Sequence, residues 1–156
     1  MKFDKYNKKT KVGLSGKVDY RLRDSTGKLK MERLNVGNIV VNAGKAEVAE
    51  LIIGSGTAFS NIAIGTGATQ AFAASDTELN TEDSRDTATT STDTTDTTGD
   101  TSKFVHTFTF SATKTINESG VFNSSSGGDM LCAQYISDIN VESGDSLEIT
   151  WKLDVD

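Results

Sequence analysis

Two antiparallel β-sheets packed face to face, with one short α-helix, is the fold this sequence predicts, and three observations predict it. "KVGLSGKVDYRLRD", "KFVHTFTFSAT" and "SLEITWKLDVD" each alternate apolar and polar residues with a period of two, the mark of a half-buried strand. The last two carry aromatic residues on their apolar side, which suits the core between two sheets. Gly-, Ser- and Asp-rich stretches punctuate the chain at short intervals, as turns do in an all-β sandwich.

Taken in order, Val12, Leu14, Gly16, Val18, Tyr20 and Leu22 fall on one side of the first strand, and Lys11, Ser15, Lys17, Asp19, Arg21 and Arg23 on the other. "DSTGK" at 24–28 reads as a turn with Gly27 at positive φ, and "KLKMERLNV" returns as the partner strand, giving a hairpin with a basic outer face. In "NAGKAEVAELIIG" the period changes. Asn42 suits a helix cap, Val48, Leu51 and Ile52 share a face, and Gly54 supplies a stop, so a helix is expected over about residues 43–53, lying on an end or face of the sheet. "NIAIGTG" reads as a short buried strand entering a turn in which Gly65 and Gly67 let the chain reverse. It lacks the Gly-Lys-Ser/Thr ending and the following helix of a phosphate-binding loop.

In the carboxy half, Phe104, His106, Phe108 and Phe110 alternate with polar or smaller partners, as do Leu147, Ile149, Trp151, Leu153 and Val155. Between these runs "GVFNSSSGGDMLCAQYI" is a hairpin and "NVESGDS" a further turn. Residues 87–102, "TATTSTDTTDTTGDTS", contain nine threonines in sixteen positions. Threonine is β-branched and suits exposed strand positions, and a mucin-like stalk or a disordered linker would carry Pro, Glu or Lys. The stretch is therefore expected to form a hairpin, "DTATTSTDT" pairing onto "FVHTFTFSA" around a turn that contains Gly99, with Asp93, Asp96 and Asp100 guarding an edge. Seven or eight strands result, divided as a basic N-terminal arm at 1–11 and a single sandwich domain at 12–156.

With 156 residues, 35% of them hydrophobic, the chain suits one domain with a real core. No apolar run approaches the ~20 residues of a membrane span. The basic start "MKFDKYNKKTKVG" is not followed by the apolar segment of a signal peptide, so export by that route is not expected. Cys132 is the only cysteine, which excludes an internal disulfide framework. The net charge of −6 hides a division: residues 1–33 hold eleven basic and four acidic side chains, about +7, leaving −13 for the rest. Nucleic acid is not the expected partner, because the lysines lack interleaved aromatics beyond Phe3 and Tyr6 and the body would repel phosphate.

No catalytic constellation assembles from the sequence, and neither an enzyme activity nor a cofactor is expected. His106 is the only histidine and stands on the aromatic side of a strand, as a packed or hydrogen-bonded residue would. Cys132 has no His or Cys companion for a dyad or metal site and suits the role of a small buried hydrophobe. Glu78, Glu82, Asp83 and Asp86, and the run "DTTDTTGD", offer carboxylates without the ligand spacing of a calcium loop, so no metal is assigned. Asp76, Glu78, Glu82 and Arg85 are read instead as ties for the loop after Gly67, with Glu118, just before Ser119 and Gly120, doing the same at a strand bend.

The segments "IAIGTG", "DTELNTE" with a following Arg, "INESGVFN" and "GGDMLCAQ", in this order across nearly the whole chain, resemble a group of small tailed-bacteriophage virion proteins, head-decoration or tail-fibre components. The resemblance implies a non-enzymatic, multi-copy structural subunit on the particle surface, made in the host cytoplasm. A capsid decoration subunit is the expectation, with a tail-fibre or adhesin component that binds host carbohydrate as the alternative. Its partners would be structural proteins of the same particle and further copies of itself, a homotrimer first, with no membrane. Lys2, Phe3, Lys5, Tyr6, Lys8, Lys9 and Lys11 are the expected subunit-docking residues, Phe3 and Tyr6 as apolar anchors. Gly27, Gly65, Gly67, Gly99 and Gly120 are the expected structural turns.

Overall fold

The computed structural model describes residues 11–67 and 69–156. The order is β1 (Leu14–Arg23), β2 (Leu29–Gly37), β3 (Ile39–Val40), α1 (Asn42–Ile52), β4 (Asn61–Gly65), β5 (Glu82–Thr87), β6 (Thr89–Asp93), β7 (Thr101–Thr109), β8 (Lys114–Phe122), β9 (Met130–Val141) and β10 (Ser146–Val155). Two five-stranded sheets form, β2-β1-β10-β7-β6 and β3-β9-β8-β4-β5, and every pairing is antiparallel. The fold is a two-sheet β-sandwich with one helix, as the alternation predicts.

The core lies between the sheets. Tyr20, Ile149 and Trp151 of the first sheet and Ile62, Ile64 and Ile116 of the second are fully buried. Trp151 Nε1 donates to Ser119 Oγ at 3.3 Å, so the one polar atom of the indole is satisfied by the opposite sheet. Burial pushes the Tyr20 phenol well above its ordinary pKa.

A second apolar cluster, which includes Val41, Ala63, Phe72, Leu79 and Phe122, covers the outer face of the second sheet. Loop 66–81 delivers Phe72 and Leu79 to it. The second sheet is therefore buried on both faces, which explains why all five residues of β4 are buried and why β8 is buried without alternation from Glu118 to Phe122.

Among the described residues ten strands stand where seven or eight are expected, because β3 and β5 are edge strands too short or too polar to show an apolar period. The Thr-rich hairpin is present, with Thr89 opposite Val105 and Asp93 opposite Thr101. Its turn is held by Asp100, whose carboxylate accepts the backbone N–H groups of Thr95, Asp96 and Thr97. Those bonds, Thr97 and Thr95 foremost, hold the Asp100 carboxyl well below the usual carboxylate range. Asp100 thus faces its own turn, not an approaching strand. Just upstream, Thr87 pairs with Asn61 in one sheet while Thr89 pairs with Val105 in the other. Ala88 alone carries the chain across, its N–H bonded to Ser60 O at 2.8 Å.

Three local expectations are corrected. The helix runs Asn42–Ile52, Val41 is its cap residue, and no side chain caps it. Asn42 is already helical, and its N–H bonds to Ala74 O at 2.8 Å. Ile52 does not join Val48 and Leu51 against the core but is 80% exposed, because the buried side of α1 is centred on Gly44 and Glu47. A Cβ on Gly44 would stand 2.4 Å from Leu131 O, so glycine here permits close helix–strand contact. The outer face of the first hairpin is a mixed ion-pair surface, not a basic one. Arg21 pairs with Glu32 at 2.8 Å and Glu148 at 3.4 Å, and Lys30 with Glu142 at 2.8 Å and Asp145 at 2.7 Å.

Candidate functional site

β8 runs from polar Lys114 and Thr115 to apolar Val121 and Phe122, and in it the charged Glu118 is fully buried. A register shift between Ile116 and Glu118 puts Glu118 opposite Gly65 and Gly120 opposite Ala63, on the outer face beneath loop 66–81. A buried carboxylate demands donors, and the loop supplies them. Oε1 accepts from Gly67 N at 3.1 Å and Thr81 N at 2.7 Å, and Oε2 from Asn80 N at 2.8 Å and Asn80 Nδ2 at 3.1 Å. One side chain thereby fastens both ends of a long loop.

The glycines around it act by size. Gly65 and Gly67 do not have positive φ; the turn reading is replaced by one of close approach. A Cβ on Gly65 would lie 2.4 Å from both Glu118 Oε1 and Thr81 O, and one on Gly67 would lie 2.1 Å from Thr81 Oγ1. Gly120 is likewise closed in, by Cys132 O at 3.1 Å and Leu79 Cδ2 at 3.3 Å. Gly27 and Gly99, in contrast, have φ of +84° and +79° in open turns, where L-residues are strained.

Arg85 forms the second anchor. β5 places it opposite Ala63, on the same outer face, with its guanidinium 3.6 Å from the centroid of the Phe122 ring. Its Nε donates to Glu82 Oε1 at 3.0 Å, while Nη1 donates to Ser124 O at 3.0 Å and Gly127 O at 2.7 Å. Asp76 accepts Ala73 N at 2.8 Å within the loop. Glu78 makes no such tie among the described residues and lines an open polar cleft of about 560 Å³ with Asn80, Arg85, Ser125 and Ser126. "IAIGTG", "DTELNTE" with Arg85, "INESGVFN" and "GGDM" therefore converge on one patch. The signal in the sequence is slight: Glu118 stands in the mixed stretch "INESGVF", and the glycines at 65, 67 and 120 are the residues that leave room for backbone donors to come close.

Elsewhere, several titratable side chains considered from the sequence are engaged. His106 is half-buried, not a core residue: Nδ1 lies 3.1 Å from Thr87 O, Nε2 lies 3.6 Å from Asp86, and the ring meets Phe108 edge-on at 4.6 Å. Cys132 is fully buried, and burial pushes its thiol up. Of the carboxylates considered for a cation, Glu82 is paired with Arg85 and Asp83 with Lys114 at 2.6 Å. Among the described residues no group of three or more His, Cys, Asp or Glu could hold a metal ion, and no helix is long and apolar enough to cross a membrane.

At one end of the sandwich Leu14, Val48, Leu51, Phe104, Leu153 and Val155 line an apolar groove of about 310 Å³ between α1 and the first sheet. Asp154 and Asp156 alternate with Val155 and face away from this groove, on the outer side of the first sheet; there a side-chain hydrogen bond with Asp154, and the charges of Asp154, Asp96 and Asp100, raise the Asp156 carboxyl above its ordinary value. Lys11 enters this end as an exposed residue, three positions before Leu14. Lys2, Phe3, Lys5, Tyr6, Lys8 and Lys9 lie outside the described residues. Comparison with family models, with curated proteins and with solved structures gave no match to this chain.

Proposed function

We propose that this chain is a non-enzymatic structural subunit of a tailed-phage particle, a decoration subunit on the capsid exterior. The observation that supports this reading is the convergence around Glu118 and Arg85. The very segments that resemble phage virion proteins are spent on fixing a loop and a turn to a sheet. A rigid surface with its loops tied down suits repeated contact with a lattice of neighbours. The basic segment at 1–11 then docks on acidic shell subunits, steered over the ~8–10 Å range of attraction at ordinary salt.

Quantitative mass spectrometry of purified particles encoded alongside this chain tests the reading. Hundreds of copies per particle are expected, and absence from the particles overturns it. A few copies, in multiples of three or six, would assign the chain to the tail. That second reading, a fibre or adhesin component, draws support from the open polar cleft of Glu78, Asn80, Arg85, Ser125 and Ser126, whose amide, carboxylate and hydroxyl groups match carbohydrate hydroxyls. A glycan-array signal lost in Asn80→Ala would favour it.

A further inference from the structure

The end strands of a sheet present outward N–H and C=O groups that need either a cover or a deterrent to pairing. Here the end strands are β2 and β6 in the first sheet and β3 and β5 in the second, and three of the four carry a deterrent. β2 has two register shifts against β1 and holds Asn35 at a φ of +55°, so its edge is not straight. β3 is two residues long, and beyond it Arg33 donates to Ser137 O and Asp138 O of β9. β5 carries Glu82, Asp83, Arg85 and Asp86 among its six residues. β6 has none of these devices. It runs against β7 without a register shift, contains no Pro, Gly, Lys or Arg, and bears its one charge at the end, on Asp93. The turn that follows does not guard it, because Asp100 is spent on the N–H groups of Thr95, Asp96 and Thr97. Thr89, Thr90, Ser91 and Thr92 are all exposed, and beyond β7 they have no hydrogen-bond partner among the described residues.

We propose that β6 is the interface with a second copy of the chain, the two β6 strands pairing antiparallel about a two-fold axis at Ser91. The strand is complementary to itself in this register. Thr89 meets Asp93 of the second copy, Thr90 meets Thr92 and Ser91 meets Ser91, so all five residues are paired and the β-branched hydroxyl side chains form the cross-strand pairs that stabilise sheets. The charges fit as well. The two Asp93 carboxylates are separated by four residues along the strands, about 14 Å, which exceeds the ~8–10 Å over which charges act at ordinary salt, whereas a parallel pairing would set them side by side. A second copy is the occupant because symmetry alone supplies four hydroxyl residues in matching order with the carboxylate at the far end. The contact is isologous and closes at two copies, joining two five-stranded sheets into one continuous sheet. Five residue pairs make a small interface, so association is reversible and depends on concentration.

Oxidative cross-linking and sedimentation of the full chain test it. In Ser91→Cys the two thiols stand opposite each other at the axis, with Cα atoms about 4.5–5.5 Å apart and so within reach of a disulfide. Mild oxidation should give a covalent dimer that a reductant reverses. Thr89→Cys is as exposed but places its two thiols about 14 Å apart, too far to bridge, and should give none. The unaltered chain should give none either, because Cys132 is fully buried. Sedimentation of the unaltered chain is expected to show a monomer–dimer equilibrium that shifts with concentration. Ser91→Lys sets two ammonium groups face to face at the axis and should abolish the dimer while leaving circular dichroism unchanged. A Ser91→Cys chain that does not cross-link, or one that cross-links no better than Thr89→Cys, overturns the proposal. So does a Ser91→Lys chain that dimerises like its parent, or an unaltered chain that stays monomeric at every concentration. Absence of the chain from phage particles would sink the particle reading and leave these measurements standing.

Discussion

Glu118 gathers four donors onto one fully buried carboxylate, so its removal strands three backbone N–H groups at once. Hydrogen bonds to a charged group are each worth roughly 1.5–3 kcal/mol, and Glu118→Ala should cost at least about 3 kcal/mol in urea unfolding. Limited proteolysis should then cut within loop 66–81. A loss below ~0.5 kcal/mol, the range of ordinary surface changes, would mean that Phe72 and Leu79 hold the loop unaided. Gly44 poses a sharper contest. Helix propensity favours Gly44→Ala by about 1 kcal/mol, but the new Cβ would meet Leu131 backbone atoms at 2.4–2.5 Å. Backbone cannot swing aside as a side chain does, so the substitution should destabilise by about 1–3 kcal/mol, and a rise in melting temperature would contradict the contact. Neither residue's role was fully legible in the sequence. Glu118 reads as a tie without showing what it ties, since its donors come from 37 to 51 positions away, and Gly44 looks like any weak helix residue until Leu131 is beside it.

At the scale of elements, β1, β7 and β10 were legible because each has one face on the core and the other in solvent. β5 and β6 were not, or only through threonine content, because their side chains serve ion pairs and edges. β3 has two residues and no period to detect. The Thr-rich hairpin depends on its turn. Asp100→Ala removes the acceptor for three consecutive N–H groups, and amide exchange should accelerate at 94–100 while β7 and β10 keep their protection. Equal acceleration along β7 would show that the hairpin and the sheet open together.

For the whole molecule, the depressed carboxyls set the response to acid. Asp145 is held below the usual range by the Lys30 ammonium first and by a backbone hydrogen bond from Glu142, and Asp100 by its turn. A carboxyl lowered in the folded state stabilises it above the unfolded pKa of about 3.9 and loses that contribution as pH falls through the folded value. Thermal stability should therefore decline below about pH 4, and Asp145→Asn should flatten part of that decline; an unchanged acid limb would remove Asp145 from the account. The two-sheet sandwich was legible from alternation and turns, whereas the double burial of the second sheet was not, because it is created by a loop. One further property follows from the pairing of β1 with β10, where Leu14 stands opposite Val155 and Arg23 opposite Ser146. Force applied to Leu14 and Val155 loads this ladder from one end, so its hydrogen bonds bear the tension one pair after another and the strands peel apart. Force applied through Gly27 and Val155 enters β1 from the opposite end and loads all the pairs together in shear. In single-molecule pulling, the first geometry should yield at a clearly lower force than the second, and equal rupture forces would mean that another contact carries the strain.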